Sequence, residues 1–332
     1  MSKPRLLVIS TGGTITMVGE AGASGIKPTL TAEDLLTAVP QMAELADVQA
    51  LTFSSVPGAS LTQQQLFRLA QTVDEALSGD TAGAIVIQGT DTIEETSFLL
   101  SLLVQSDKPV VVTGAMRGPQ APGADGPANL LAATAVASSA DAAGRGVLVV
   151  LNDEVHSARY VRKGHTALPS AFCSPGVGPV GLVYEQKVHF HHARPENLIR
   201  FPVPPSVRDV ALLKASLGDD GRLIQAVGGG LGYEALVVEA MGAGHLPDTW
   251  VKPLTMLLEK MPIVFACRAP AGPTFTQTYG FAGSEMDLIR HGLIPSGVLD
   301  SLKSRLLLGV LVSNGLPVDA VREQFSRFGK SA

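Results

Sequence analysis

Thr14 and Thr90 are the residues of this sequence best placed for nucleophilic chemistry. Each lies on a turn after an apolar run that is predicted to be a buried strand, and Asp91 directly follows Thr90. Ligands of parallel α/β sheets bind outside the carboxyl ends of the strands, so both hydroxyls would face one crevice if the two strands are neighbours. A threonine hydroxyl attacks a carbonyl group only when a base takes its proton, and Lys163 is the candidate base. Asp91 would orient that lysine or bind the ammonium group of a substrate.

Each of these residues also has a purely structural interpretation. The two threonines can be turn residues whose hydroxyls satisfy backbone groups. Asp91 can be a helix cap, although Thr92 and Glu95 already have the spacing of a capping box. Lys163 by itself would be a solvated surface side chain.

Patterns that would indicate a metal or a phosphate ligand are weaker. His189 and His191 share one face of an extended segment, but no cysteine or carboxylate lies at ligand spacing, which favours a solvated edge strand. The turn at residues 11–14 lacks the Gly-Lys-Ser/Thr ending of a phosphate loop. The two cysteines, Cys173 and Cys267, have no metal-type spacing. We therefore expect no metal and no cofactor.

Length and composition indicate a globular protein of about two domains. The chain has 332 residues, of which 45% are hydrophobic and 17% charged. A formal net charge of −5 argues against nucleic acid or an anionic membrane as the main partner. The apolar run after Lys3 and Arg5 is shorter than the core of a signal peptide, and no run reaches the length of a membrane span. We expect a cytoplasmic protein.

Buried strands alternate with helices over the first half of the chain, which predicts a mostly parallel α/β sheet. The predicted helices begin at Thr31, at Thr62, at the Thr92–Glu95 capping box and at Asp125, and the last of them is expected to run to Gly144. The predicted strands cover residues 6–10, 84–87, 109–113 and 147–151.

Regularity falls between residues 169 and 205, and the proline-rich stretch 201–205 resembles an interdomain linker. The α/β rhythm then resumes with predicted strands at 210–213, 235–238 and 263–266, a helix near 221–228 and a C-terminal helix through Leu302, Leu306 and Leu307. We therefore predict an N-terminal domain over 1–200, a linker over 201–209 and a C-terminal domain over 210–332.

Two segments of this sequence carry specific motifs, Leu-Val-Ile-Ser-Thr-Gly-Gly-Thr-Ile at residues 7–15 and Gly-Thr-Asp-Thr-Ile-Glu-Glu-Thr at residues 89–96. They resemble the signatures of the bacterial-type L-asparaginase and glutaminase-asparaginase family. Similar pieces recur at residues 114–117, 125–130, 149–153, 178–181, 242–246 and 279–285, so the resemblance covers nearly the whole chain. It implies a larger N-terminal α/β domain with a mostly parallel sheet and a smaller C-terminal α/β domain of flavodoxin-like type.

The resemblance also implies a reaction, which is the hydrolysis of L-asparagine to L-aspartate and ammonia without a cofactor. Thr14 would be the nucleophile that forms an acyl-enzyme, and Thr90, Asp91 and Lys163 would handle protons. The family's oxyanion hole uses backbone N–H groups at the second threonine and at a neighbouring residue. Its subunits form dimers or tetramers, and Glu285 would complete the site of a partner subunit. The implied substrate-binding residues are Gly13, Gly58, Ala59, Ser60, Gly89, Thr90, Asp91, Ala115 and Glu285.

The sequence departs from the family pattern at three places. The loop over residues 19–27 has no tyrosine to contact the nucleophile, and Ile26 lies nearest that place. Ala243 stands where some members have an asparagine. The serine for the substrate carboxylate falls within residues 58–60, so either Ser60 or a backbone N–H would serve.

These departures leave alternatives to an ordinary asparaginase. One is a slow or inactive member that binds or senses an amino acid, and another is an enzyme that prefers glutamine or a different amide. The asparaginase-like subunit of a tRNA amidotransferase carries an extra N-terminal domain, for which we expect no room because the first motif begins near Leu6.

Overall fold

The computed structural model describes residues 3–12, 17–19, 26–28 and 32–329, with only the backbone described at 17–19, 26–28, 35 and 36. The chain divides into two compact units, residues 1–201 and residues 202–332. The predicted α/β class is confirmed in both. The finer division, with a linker at 201–209, stays a prediction.

An eight-stranded sheet forms the centre of the first unit. The strands of this unit are β1 (Arg5–Ser10), β2 (Met17–Gly19), β3 (Ile26–Pro28), β4 (Asp47–Thr52), β5 (Gly83–Ile87), β6 (Val110–Thr113), β7 (Val147–Leu151), β8 (Glu154–Ser157), β9 (Arg162–Lys163), β10 (Phe172–Cys173), β11 (Gly181–Tyr184) and β12 (Lys187–Phe190). The sheet has the order β12-β11-β8-β7-β6-β5-β1-β4. Strands β4, β1, β5, β6 and β7 run parallel, whereas β8, β11 and β12 are added by antiparallel pairing. The pairs β2–β3 and β9–β10 are separate two-stranded ribbons.

The central strands are almost wholly apolar, as expected for a sheet that is covered on both faces. Every residue of β5, β6 and β7 is buried. On one face, Ile85 and Val111 pack with Leu130 and Ala133 in a single core cluster. Such runs of valine and isoleucine are what made these strands recognisable from the sequence.

The helices of the first unit are α1 (Ala32–Ala38), α2 (Met42–Leu45), α3 (Gln63–Leu77), α4 (Ile93–Leu103) and α5 (Gly126–Ala137). The cap predicted at Thr62 is confirmed, since its hydroxyl accepts the N–H of Gln65 in a capping box. The capping box predicted at Thr92 is wrong, because the Thr92 side chain makes no cap hydrogen bond. The cap predicted at Thr31 lies outside the described residues.

Helix α5 ends at Ala137 and not at Gly144 as predicted. Ser139 turns the chain there, because its hydroxyl accepts the N–H of Asp141 and starts a separate 3-10 turn over Ala140–Ala142. A serine hydroxyl offers the backbone an alternative to the helical bond. The alanine-rich composition concealed this stop.

The segment that was predicted to be irregular, residues 169–205, contains the hairpin β11–β12. The residues of its two-residue turn, Glu185 and Gln186, have φ of 53° and 59°. Positive φ at both turn positions usually requires glycine or asparagine, so the sequence carried no hairpin signal here. The edge strand expected near His189 is confirmed as β12, and the His189 ring stacks on Tyr184 with centroids 3.9 Å apart. His191 lies beyond this strand, and no cluster of three metal-binding side chains occurs within the described ranges.

The second unit is built on a four-stranded parallel sheet of order β13-β14-β15-β16. Its elements are β13 (Val210–Lys214), α6 (Arg222–Gly228), β14 (Ala235–Ala240), α7 (Asp248–Leu258), β15 (Ile263–Cys267), α8 (Glu285–His291), β16 (Ile294–Pro295), α9 (Ser301–Ser313) and α10 (Val318–Phe328). Trp250 of α7 packs into the core with Leu236 and Phe265. Among the residues with a described structure, no helix is long and apolar enough to cross a membrane.

Candidate active site

Strands β1 and β5 are adjacent and parallel, so the turns that follow them lie side by side. Ser10 is paired with Ile87, and Thr11 donates both its N–H and its hydroxyl to the Ile87 carbonyl, at 2.9 and 3.1 Å. The condition set from the sequence, that the two strands be neighbours, is met. Gly13 and Thr14 themselves lie outside the described residues.

Gly12 fixes the start of the first turn. Its φ of +108° disfavours residues with a side chain, and an added Cβ would lie 2.6 Å from the Val56 carbonyl oxygen. Val56 N–H and the Ser54 hydroxyl both donate to the Thr11 carbonyl, at 3.3 and 3.0 Å. The chain therefore leaves β1 pressed against the segment that precedes the turn at residues 58–60.

Lys163 joins Thr90 and Asp91 in one cluster. Lys163 Nζ lies 2.9 Å from Thr90 Oγ1 and 2.8 Å from Asp91 Oδ1. The lysine side chain is 17% exposed and the aspartate side chain 68% exposed, while Thr90 is buried. An ammonium group donates and never accepts, so Thr90 Oγ1 is the acceptor and its own O–H remains available for another partner. This arrangement can pass a proton between Lys163 and a group bonded to Thr90.

The backbone that carries Lys163 is a short ribbon and not a strand of the main sheet. Lys163 of β9 is paired with Phe172 of β10, and Gly164 N–H donates to the Ala171 carbonyl at 2.7 Å. An ion pair with so exposed a partner as Asp91 contributes little stability by itself. The position of the ammonium group therefore depends on the ribbon.

Thr92 connects the turn after β5 to the turn at residues 58–60. Its hydroxyl accepts from Gln88 Nε2 at 2.8 Å and donates to the Gly58 carbonyl at 3.0 Å. The spacing of Thr92 and Glu95, which is typical of a helix cap, concealed this network in the sequence. A glutamine at the end of a fully buried strand was the signal that could have revealed it.

Position 58 has room for glycine alone. An added Cβ would lie 2.9 Å from the Gly89 carbonyl oxygen and 3.2 Å from the Thr92 hydroxyl. Gly58 begins a 3-10 turn, Gly58–Ser60, on which Ala59 and Ser60 are exposed. The sequence left two candidates for binding the substrate carboxylate, the Ser60 hydroxyl and a backbone N–H. Both stay open.

The turns after β6 and β7 are held by Asp125 and Asn129. The Asp125 carboxylate accepts the N–H groups of Met116 and Arg117 at 2.9 and 2.8 Å. Asn129 Nδ2 donates to the Gly114 carbonyl at 2.9 Å, and its Oδ1 accepts the N–H of Asn152 at 2.9 Å. Ala115, a predicted binding residue, is buried within this turn.

Comparison with known proteins decides the family. The model of the N-terminal asparaginase domain matches residues 5–196, and that of the glutaminase/asparaginase C-terminal domain matches residues 209–325. The chain belongs to the asparaginase family.

Relatives of the full length support this assignment. A probable L-asparaginase of Deinococcus radiodurans is 35% identical over 98% of this chain and 98% of its own length. An L-asparaginase of Bacillus licheniformis is 33% identical over 93% of this chain and 96% of its own. The crystal structure of a probable cytoplasmic L-asparaginase from Campylobacter jejuni matches with a TM-score of 0.88 at 30% identity, covering 98% of this chain and 99% of the other.

Glu285 is the site residue that the asparaginase resemblance places in the second unit. Its side chain is fully buried at the start of α8, where one oxygen accepts the N–H groups of Thr278 and Tyr279 at 2.9 and 2.7 Å. The other oxygen lies 3.3 Å from His245 Nε2. Burial raises the pKa of Glu285, but the backbone donors and His245 outweigh it and hold the pKa below its ordinary value. The role of Glu285 at a partner's site stays a prediction.

Two departures from the asparaginase pattern have different outcomes. Ala243, which aligns with the family's asparagine, accepts the N–H of Phe275 through its carbonyl at 2.8 Å, so its backbone holds the loop over residues 268–284, which precedes Glu285. The missing tyrosine concerns residues 19–27, of which 20–25 lie outside the described residues, while Ile26 belongs to β3.

Proposed function

We propose that this asparaginase-family protein is an amidohydrolase that converts L-asparagine and water to L-aspartate and ammonia (EC 3.5.1.1). Family membership and the full-length relatives called L-asparaginase support the reaction. The observation that carries the proposal is the contact of Lys163 Nζ with both Thr90 and Asp91, at 2.9 and 2.8 Å. A buried hydroxyl bonded to a lysine at a strand end suits proton transfer and serves no evident packing need.

The proposed mechanism has two half-reactions. The Thr14 hydroxyl attacks the side-chain amide carbon of asparagine, its proton passes to the amide nitrogen, and ammonia leaves an acyl-enzyme ester. Water then attacks the ester, and its proton returns to Thr14 as aspartate is released. Thr90 and Lys163 would carry these protons. The carbonyl oxygen needs a backbone donor, and the N–H of Thr90, at the start of the 3-10 turn Thr90–Thr92, would supply it.

Substrate recognition in this proposal uses charge at one end and backbone at the other. Asp91 Oδ1 contacts Lys163, which leaves Oδ2 for the α-ammonium group of asparagine. The remaining contacts with the substrate would come from Gly13, Gly58, Ala59, Ser60, Gly89 and Ala115.

The Campylobacter jejuni relative is described as cytoplasmic, and we propose the same location for this chain. We also propose a homodimer or homotetramer in which Glu285 completes the partner's site.

Ammonia release from L-asparagine tests the reaction, with L-glutamine assayed alongside to establish amide preference. We expect Thr14→Ala and Lys163→Met to lose at least about a hundredfold in kcat, in line with removal of a nucleophile or a proton carrier. Thr90→Ser, which keeps the hydroxyl, should retain most of the activity. If Thr14→Ala kept the wild-type rate, Thr14 would not be the nucleophile.

A non-catalytic amino-acid-binding role is the second candidate, favoured by the missing tyrosine and by Ala243. Isothermal titration with L-aspartate separates the two. Tight binding together with no ammonia release from either amide would replace the enzymatic proposal, whereas ordinary turnover would eliminate the binding role.

A further inference from the structure

A buried histidine joins a serine and a glutamate beside the ribbon that carries Lys163. His156 of β8 is 1% exposed, and Ser174, the residue after β10, is 5% exposed. His156 Nδ1 lies 3.0 Å from Ser174 Oγ, and its Nε2 lies 3.2 Å from Glu154 Oε2. None of these three residues was singled out by the sequence or used by the proposed reaction.

The contacts determine which nitrogen carries the proton. The Glu154 carboxylate only accepts, so His156 Nε2 donates to it. Burial lowers the pKa of His156 and Glu154 only partly opposes this, which keeps the ring neutral. In a neutral ring Nδ1 is the acceptor, so the Ser174 hydroxyl donates to it. The three side chains therefore form a directed chain from serine to histidine to glutamate.

This chain resembles a hydrolytic triad in its residue types but not in its access. The Ser174 hydroxyl is buried, and the Ser174 carbonyl is engaged by the N–H groups of Val177 and Gly178 at 3.1 and 2.8 Å. A nucleophile must reach a substrate, so a structural link is the interpretation that the burial supports.

The link leads directly to Lys163. Ser174 follows Cys173, which is paired with Arg162, while Phe172 is paired with Lys163. His156 sits within the main sheet, paired with Val149 of β7. The hydrogen bond between His156 and Ser174 therefore ties the separate ribbon β9–β10 to the main sheet, two residues along the chain from Phe172, the strand partner of Lys163.

We infer that His156 and Ser174 are positioning residues that hold Lys163 Nζ within hydrogen-bond reach of Thr90 and Asp91. The inference rests on the proposed role of Lys163. A displacement of a proton carrier by about 1 Å lowers the rate on the order of a hundredfold. Loss of the link therefore reduces kcat while the groups that bind asparagine stay in place.

The test compares Ser174→Ala and His156→Gln with His156→Asn, whose side-chain oxygen keeps an acceptor near the place of Nδ1. We expect Ser174→Ala and His156→Gln to lower kcat about tenfold or more with KM changed less than about twofold, and His156→Asn to recover most of that loss. Thr134→Val is the matched control, because it removes another buried hydroxyl, which donates to the Leu130 carbonyl inside α5. It should leave kcat unchanged.

A double-mutant cycle separates positioning from general stability. If Ser174 acts through Lys163, then Ser174→Ala causes no further loss in a Lys163→Met background. The inference would be overturned if Ser174→Ala lowered kcat equally in the wild-type and Lys163→Met backgrounds. It would also be overturned if Ser174→Ala lowered the melting temperature and left kcat per folded molecule unchanged. Should Ser174→Ala not fold, His156→Gln runs the same cycle. Full activity of Lys163→Met would instead refute the role of Lys163 in the proposed function, and labelling of Ser174 by a serine-reactive fluorophosphonate would refute its buried linking role.

Discussion

The Thr92 hydroxyl holds two turns of the site together by accepting from Gln88 and donating to Gly58. Thr92→Val keeps the shape of the side chain and leaves both of these groups without that partner. An unsatisfied buried polar group costs about 1–3 kcal/mol, so we expect the free energy of unfolding to fall by about that amount. Asparagine turnover should fall as well, because the turn bearing Thr90 loses its tie to residue 58. Denaturant unfolding and the ammonia assay measure the two effects.

Thr92→Ser is the matched control for this change, because it keeps the hydroxyl and loses only a methyl group. It should stay close to the wild type in both assays. If the valine and serine variants were equally stable and equally active, the bridging hydrogen bonds would have no part in holding the site.

At the scale of single residues, the sequence identified what the site contains better than how the site is held. Thr90 and Asp91 stand beside a buried strand, which is a local signal and easily read. Lys163 sits on a two-residue strand, for which periodicity carries no information, so the family resemblance was needed to favour it over a solvated surface lysine. Thr92, Asn129 and His156 act through contacts between segments distant in the chain, which no local pattern encodes.

Lys108 terminates helix α3 from outside the helix. Its ammonium group donates to the carbonyls of Leu77, Gly79 and Thr81 at 2.7, 2.7 and 2.8 Å. A cation at a helix C-terminus satisfies carbonyls that lack helical partners and is favoured by the helix dipole. Hydrogen bonds to charged groups contribute about 1.5–3 kcal/mol, so we expect Lys108→Met to lower the free energy of unfolding by roughly that much.

Denaturant unfolding of the purified variants measures this effect of Lys108. Lys252→Met is the control, because Lys252 is exposed on α7 and its loss should stay within about 0.5 kcal/mol of the wild type. Equal stabilities of the two variants would show that the three carbonyls are satisfied as well by water.

At the scale of elements, the sequence predicted the buried strands nearly residue by residue because continuous apolar runs leave little choice. Helix ends were harder. The end of α5 depends on one serine hydroxyl. Helices α8 and α10 were not predicted. Helix α8 is short, and α10 is amphipathic with a largely exposed face. The turn of the β11–β12 hairpin consists of Glu185 and Gln186, and these residue types rarely adopt positive φ. The hairpin was therefore not predicted.

At the scale of the whole molecule, Glu285 makes stability depend on pH. Its pKa lies below the ordinary value chiefly because the N–H groups of Tyr279 and Thr278 overcome the effect of burial. A carboxyl group with a depressed folded-state pKa stabilises the fold fully above its unfolded pKa of about 4.3, and this contribution is lost as pH falls through the folded-state pKa. We expect Glu285→Gln to melt at a lower temperature than the wild type at pH 7, with a gap that narrows below about pH 4.3. Thermal melts at pH 7, 5, 4 and 3 test this, and a constant gap would contradict it.

The loop over residues 268–284, which precedes Glu285, leaves Phe275, Tyr279 and Phe281 with large exposed ring surfaces. Aromatic side chains grouped on a surface mark a place of association, and the predicted partner role of Glu285 requires association at this loop. We expect the wild type to sediment as a dimer or tetramer. Phe281→Glu should shift the protein towards the monomer, because burying a charge in the contact is costly. Asparagine turnover should fall in parallel. Leu217→Glu is the control, because Leu217 is also exposed in the second unit but has no aromatic neighbours in sequence. A fully active monomer would rule out a role for Glu285 in a partner's site, and would leave its buried carboxylate with the single task of holding the Thr278–Tyr279 backbone.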